Sequence, residues 1–204
     1  RSLLPGLVEV LKRNLSRGFK NLAIFESGHV FIPGEQLGSE SIPPLGARPS
    51  DEVLADLNAG IPQQPTFIAG LFAGTEHEAM PGAAPRAYDW RDALDAVRLV
   101  AAAVSAEIQV RNGVHTAFHP GRVAEVLNAA GERVGFAGEL HPKLLQELNL
   151  PERTCAFELD FSALFAGRVE AHQATPVLTF PAATQDVALL VDRDLPASEV
   201  ERVL

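Results

Sequence analysis

Sulfur-containing residues, Trp and Tyr are scarce in this sequence of 204 residues, which has one Cys, one Met, one Trp and one Tyr. A lone Cys155 excludes a disulfide framework and a cysteine-based zinc site, and it suits a reducing, cytosolic setting. Long apolar runs are missing too. None approaches the ~20 residues of a membrane-spanning helix. Pro5 and Gly6 interrupt the N-terminal apolar stretch before it could serve as a signal peptide. With no Met ahead of Arg1, the chain reads as the middle of a longer protein. Positive charge is also short, with 17 basic against 26 acidic residues and a net charge of −9. Phosphate backbones are held mainly by Lys and Arg, so this chain is a poor autonomous nucleic-acid binder. Any RNA would fall to another subunit or to a small local patch.

Familiar catalytic signatures are equally absent. "GFAG" at Gly135 is too short for a phosphate loop, no Lys-Ser or Lys-Thr follows it, and no Gly-x-Ser-x-Gly elbow occurs. His115 and His119 in "HTAFHP" could share a metal if helical. Pro120 and the β-prone residues between them favour a strand, where that spacing is ~13 Å. The "EHE" at Glu76–Glu78 sits in a loop and is no better. Glu158 and Asp160 share one face of a strand at i, i+2 and could serve acid–base chemistry, although such pairs are more often solvated. Residue chemistry alone names no reaction.

What the sequence does contain is regular patterning, in a chain long enough to bury ~70% of its unfolded surface. Leu4, Leu7, Val8, Leu11 and Leu15 predict a helix over Leu3–Arg17, stopped at Gly18. "NLAIFESGHVFI", Asn21–Ile32, predicts two short strands around Ser27-Gly28. Residues Pro33–Pro65 are rich in Pro, Gly and Ser and predict a long loop with at most one helical turn around Asp51–Leu57. A buried strand is expected at Thr66–Ala73, then a loop over Gly74–Ala87. The clearest helix is Asp89–Val104, N-capped by Asp89, with Trp90, Leu94, Val97 and Val104 on one side. Strands follow at Glu107–Arg111 and Thr116–Phe118, and a hairpin at Val123–Asn128 and Arg133–Leu140, although "RVAEVLNAAG" could instead be a helix ending at Gly131. A helix at Pro142–Leu148, a strand at Cys155–Phe161 and a short helix at Ser162–Ala166 come next, then a polar connector. The tail predicts a strand at Asp186–Val191 and a helix capped at Ser198, with Glu201 completing a capping-box pattern.

Taken in order, several of these segments resemble the C-terminal portion of the β subunit of bacterial phenylalanyl-tRNA synthetase. They are "RSLLPGLVEVLKRN", "NLAIFESGHVF", "DWRDALDAV", "FHPGR", "GFAGELHPKLL", "AFELDFSAL" and "LTFPAATQDVALLV". "GELHP" followed by "FELD" weighs most. Ser27 and Gln185 depart from the family's usual aliphatic residue and Arg, and the Pro33–Pro65 loop matches nothing in detail.

The resemblance implies an α+β fold: a catalytically inactive class II synthetase-like antiparallel sheet flanked by helices, over residues 1–172. Residues 173–204 would be the truncated start of a ferredoxin-like anticodon-binding domain. It further implies that the β module assembles with a catalytic α subunit in an (αβ)2 heterotetramer. The complete enzyme would use ATP and Mg to activate phenylalanine and would charge tRNA(Phe). At least one of the helices Leu3–Arg17 and Asp89–Val104 would bury apolar surface against the α subunit, the alternative being that both faces fill this chain's own core. No catalytic, cofactor or metal residue is expected in this chain.

Set against the catalytic subunit, His141-Pro142 match its His-Pro, the glycines of its ATP strand fall at Glu158 and Asp160, and its final Arg falls at Ala163. Glu158, Asp160 and Ala163 thus mark a degenerate former ATP site. Carboxylates there would repel triphosphate: two unit charges 4 Å apart cost about 4 kcal/mol at an effective dielectric of 20. The alternative is a stand-alone synthetase-like paralogue that binds a small molecule or a protein.

Overall fold

The periodic Leu and Val residues of the first segment form helix α1, Leu4–Ser16, with Pro5 in its first turn, where a missing N–H breaks no bond. Leu7, Val8 and Leu11 are its buried face. The structure is a computed structural model that describes residues 2–34, 42–168, 177 and 179–203. The chain divides into two units, Arg1–His172 and Gln173–Leu204. The residues flanking that division lie outside the described set, as does the connector after Arg168.

In the first unit α1 is followed by β1 (Leu22–His29), α2 (Asp51–Ala59), β2 (Thr66–Ala73), β3 (Thr75–His77) and β4 (Arg86–Ala87). Then come α3 (Trp90–Ala103), β5 (Ile108–Asn112), β6 (Phe118–Asn128), β7 (Arg133–Leu140), α4 (Pro142–Leu148), β8 (Cys155–Asp160) and α5 (Phe161–Ala166). Six strands form one sheet in the order β1-β2-β8-β7-β6-β5, and every pairing in it is antiparallel.

Strand alternation feeds two apolar clusters. Ala69, Leu71 and Ala73 of β2 and Ala156 of β8 pack with Leu7, Val8 and Leu11 of α1 and Leu145 of α4. The intervening Cys155, Phe157 and Leu159 pack with Ala93, Leu94 and Val97 of α3 and Leu164 of α5. The sheet is therefore covered on both faces, and the main apolar residues of α1 and α3 fill this chain's own core.

Several sequence expectations need correction. Asn21–Ile32 yields one strand, because Ser27 and Gly28 stay in register opposite Ile68 and Phe67. Helix α2 has nine residues rather than one turn, and its start is secured by Ser50, whose Oγ accepts from Val53 N at 3.4 Å. The loop after β2 contains the β3–β4 pair, which Arg86 ties to α3 through Glu76 and Asp92. Thr116–Phe118 is no separate strand, since only Phe118 is extended and it opens β6. Trp90 opens α3 but remains 37% exposed.

The β6–β7 hairpin prevails over the helical alternative for "RVAEVLNAAG" because Asn128 builds its turn. Its Oδ1 accepts from Ala130 N and Glu132 N, both at 3.0 Å. In the second unit Asp186–Val191 carries no strand. An extended segment needs a hydrogen-bonded neighbour, and none of the described residues pairs with it. Helix α6, Ala197–Val203, starts before Ser198, which lies inside it rather than at its cap.

Candidate functional site: a carboxylate-lined cleft

Because Ala156 faces the α1 side of the sheet, Glu158 and Asp160 face it too. They form one wall of a cleft of about 650 Å³ between the sheet, the start of α1 and helix α4. Phe67, Leu71, Phe118, Phe136, Leu140, Leu144 and Leu148 supply apolar wall, and His115 and Arg133 reach it from the β6–β7 side.

Each carboxylate has a structural use. Glu158 Oε1 accepts from Leu3 N at 2.7 Å and from Ser2 Oγ at 2.9 Å, placing negative charge at the start of α1. That helix has no acidic residue in its own first turn, so Glu158 supplies the charge its dipole favours from 155 positions away. Asp160 is the N-cap of α5, and its Oδ1 accepts from Ala163 N at 2.9 Å. Ala163 itself packs against the opposite cluster. Of the three positions singled out in the sequence, two line the cleft. The third is joined to it only through its backbone N–H.

His141 N-caps α4 by accepting from Lys143 N at Nδ1, 3.2 Å, which places its ring proton on Nε2. His115 and His119 line different hollows and are not brought to one point. His115 lies 4.6 Å from the Phe136 ring and its Nδ1 accepts from Ala117 N at 3.2 Å. Burial pushes its pKa down, Glu158 partly opposes this, and Arg133 adds to the lowering.

The sign for stability follows from that direction. The folded state resists protonation that the unfolded chain accepts, so this contribution is complete above the ordinary value of 6.5. It is lost as pH falls through the lower folded-state value. Urea unfolding across this window should show stability dropping on acidification, and His115→Gln should flatten that slope. An unchanged slope would remove His115 from the account.

One arrangement was missed in the sequence. Glu139 of "GELHP" is 2% exposed and receives Arg122 of "FHPGR" at 2.7 Å and Arg153 at 3.2 Å. The two motifs meet as a bridged carboxylate. The available signal was an acidic residue set inside the apolar run "GFAGEL".

Fold and cleft together define a helix-covered antiparallel α/β module whose cleft wall carries carboxylates committed to helix starts. The profile of the "Phenylalanyl tRNA synthetase beta chain CLM domain" matches residues 1–161, and the chain belongs to that family. The chain is similar, over its whole length, to the phenylalanine–tRNA ligase β subunits of Leifsonia xyli (46% identity) and Streptomyces avermitilis (42%). The β subunit of Bifidobacterium longum is 37% identical. The chain spans about a quarter of the length of these relatives, 24%, 25% and 24% respectively. No helix among the described residues is long and apolar enough to cross a membrane.

Proposed function

We propose that this chain is the non-catalytic, class II synthetase-like core of a phenylalanine–tRNA ligase β subunit and works by assembly rather than chemistry. The observation that supports this best is the double use of Glu158 and Asp160. They stand where an ATP-binding strand needs glycines, and both are committed to starting helices of the fold. A nucleotide phosphate approaching this wall would meet two negative carboxylates, each with one oxygen used in capping, and no cation in Ala163's place. The module would buttress a catalytic α subunit in a cytoplasmic (αβ)2 enzyme. ATP and Mg would bind in the α subunit, and phenylalanine would be transferred there to tRNA(Phe). Residues 173–204 would open the ferredoxin-like anticodon-binding domain. Its first segment is a weak RNA surface, because Asp192, Asp194, Glu199 and Glu201 crowd it.

The test is co-expression of the full-length β protein with a separately encoded α subunit. The two should co-purify in equal amounts as a four-chain complex. Removing the whole domain that begins near residue 173 should weaken tRNA binding while leaving adenylate formation intact. A β protein that stays alone would overturn the assembly role, and unchanged tRNA affinity would overturn the tail's role.

A further inference from the structure

The cleft is more than a closed remnant. Its volume of about 650 Å³ is that of a small-molecule site. Its walls combine aromatic surface from Phe67, Phe118 and Phe136 with the Glu158 and Asp160 carboxylates on one side. Both carboxylates are partly buried, and neither makes an ion pair among the described residues. The helix-capping bonds engage only Glu158 Oε1 and Asp160 Oδ1. Oε2 and Oδ2 make no hydrogen bond among the described residues. Among the described residues the one guanidinium at the cleft, Arg133, is drawn aside: it lies 5.1 Å from the centre of the Phe136 ring and bonds Glu125 at 3.5 Å.

We propose that this cleft binds an organic ammonium ion with a flat aromatic body. The ammonium would sit between Glu158 and Asp160, and the body would lie against the three phenylalanines. Half-buried carboxylates are costly without a countercharge, and a cation with its own apolar body supplies the charge while filling the walls. Anionic ligands are disfavoured for the same reason. The site rests on the cleft's own residues and the assembly role on a partner surface, so the two can fail separately.

The test uses the full-length β protein in its assembled complex, titrated with tryptamine and, in parallel, with indole-3-propionate. Glu158→Gln and Asp160→Asn together remove both charges yet keep oxygen acceptors for the helix starts, and Asn caps about as well as Asp. Tryptamine should occupy a site on each β chain that the double variant weakens about tenfold or more, and the propionate should not compete for it. Ala117→Phe, which fills the cleft without touching the carboxylates, should abolish the same site. Equal affinity in wild type and the double variant would overturn the proposal. So would competition by the propionate, or absence of tryptamine binding to the assembled complex.

Discussion

Gly135→Ala is expected to destabilise the first unit by about 3 kcal/mol. Gly135 pairs with Leu159 in the middle of the sheet. A Cβ there would stand 2.1 Å from the Glu158 carbonyl oxygen and 3.0 Å from the Leu159 Cα, both backbone atoms that cannot swing aside. Relief requires β7 and β8 to separate at the point where the cleft wall is built, so Glu158 would also lose its alignment with the start of α1. Gly131→Ala is the matched comparison. Its φ of +80° strains an alanine, but a Cβ there meets nothing within 4 Å. That substitution should cost about 1 kcal/mol. Chemical denaturation of the two variants checks the ordering, and equal losses would show that the contact between β7 and β8 is not what the glycine protects.

Phe25→Glu is expected to prevent co-purification with the α subunit while leaving this chain folded. β1 is an edge strand, so one row of its backbone N–H and C=O groups lacks a sheet neighbour among the described residues. Phe25 is 76% exposed and pairs across the ladder with Gly70, which offers no side chain to cover it. Phe19 and Phe31, before and after this strand, are also exposed, at 59% and 56%. The helices expected to form the interface spend Leu7, Val8, Leu11, Leu94 and Val97 on the internal core, and keep Val10 and Leu99 exposed on their outer faces. We propose the β1 edge as a partner surface beside those helices. A buried aromatic anchor is typically worth about 2 kcal/mol or more to an interface, and a charge in its place adds a desolvation cost. Val114→Glu, at a 95% exposed position beside the opposite edge strand β5, should leave assembly intact. Assembly that survives Phe25→Glu and fails with Val114→Glu would put the partner on the other edge.

Local signals carried most of the first unit. The helical spacing of α1, the apolar run of β2, the Asp89 cap of α3 and the Pro142 start of α4 are each set by residues within a turn or two of one another. Elements that depend on distant partners were harder to read. Ser27-Gly28 carries turn residues, yet pairing with β2 holds the segment straight. β3 and β4 contribute three and two residues, too few for a periodic signature, and rely on Arg86 reaching Glu76 and Asp92. At the cleft, the sequence displayed the carboxylates but not their use. Glu158 contacts Ser2 and Leu3 across 156 and 155 positions. Only the sheet brings those ends together. The tail shows the converse, since Val187, Leu189 and Val191 alternate as a strand would but are 60%, 51% and 48% exposed, with no strand among the described residues to pair them.

The proposed exchange of nucleotide chemistry for structural capping in this cleft is tested most directly by calorimetric titration of ATP, with magnesium present, into the isolated chain. The expected result is no saturable heat, in wild type and in the charge-neutral Glu158→Gln, Asp160→Asn variant alike, because neutralising the wall restores neither the glycines nor the arginine. Saturable micromolar binding of ATP to the wild-type chain would contradict it.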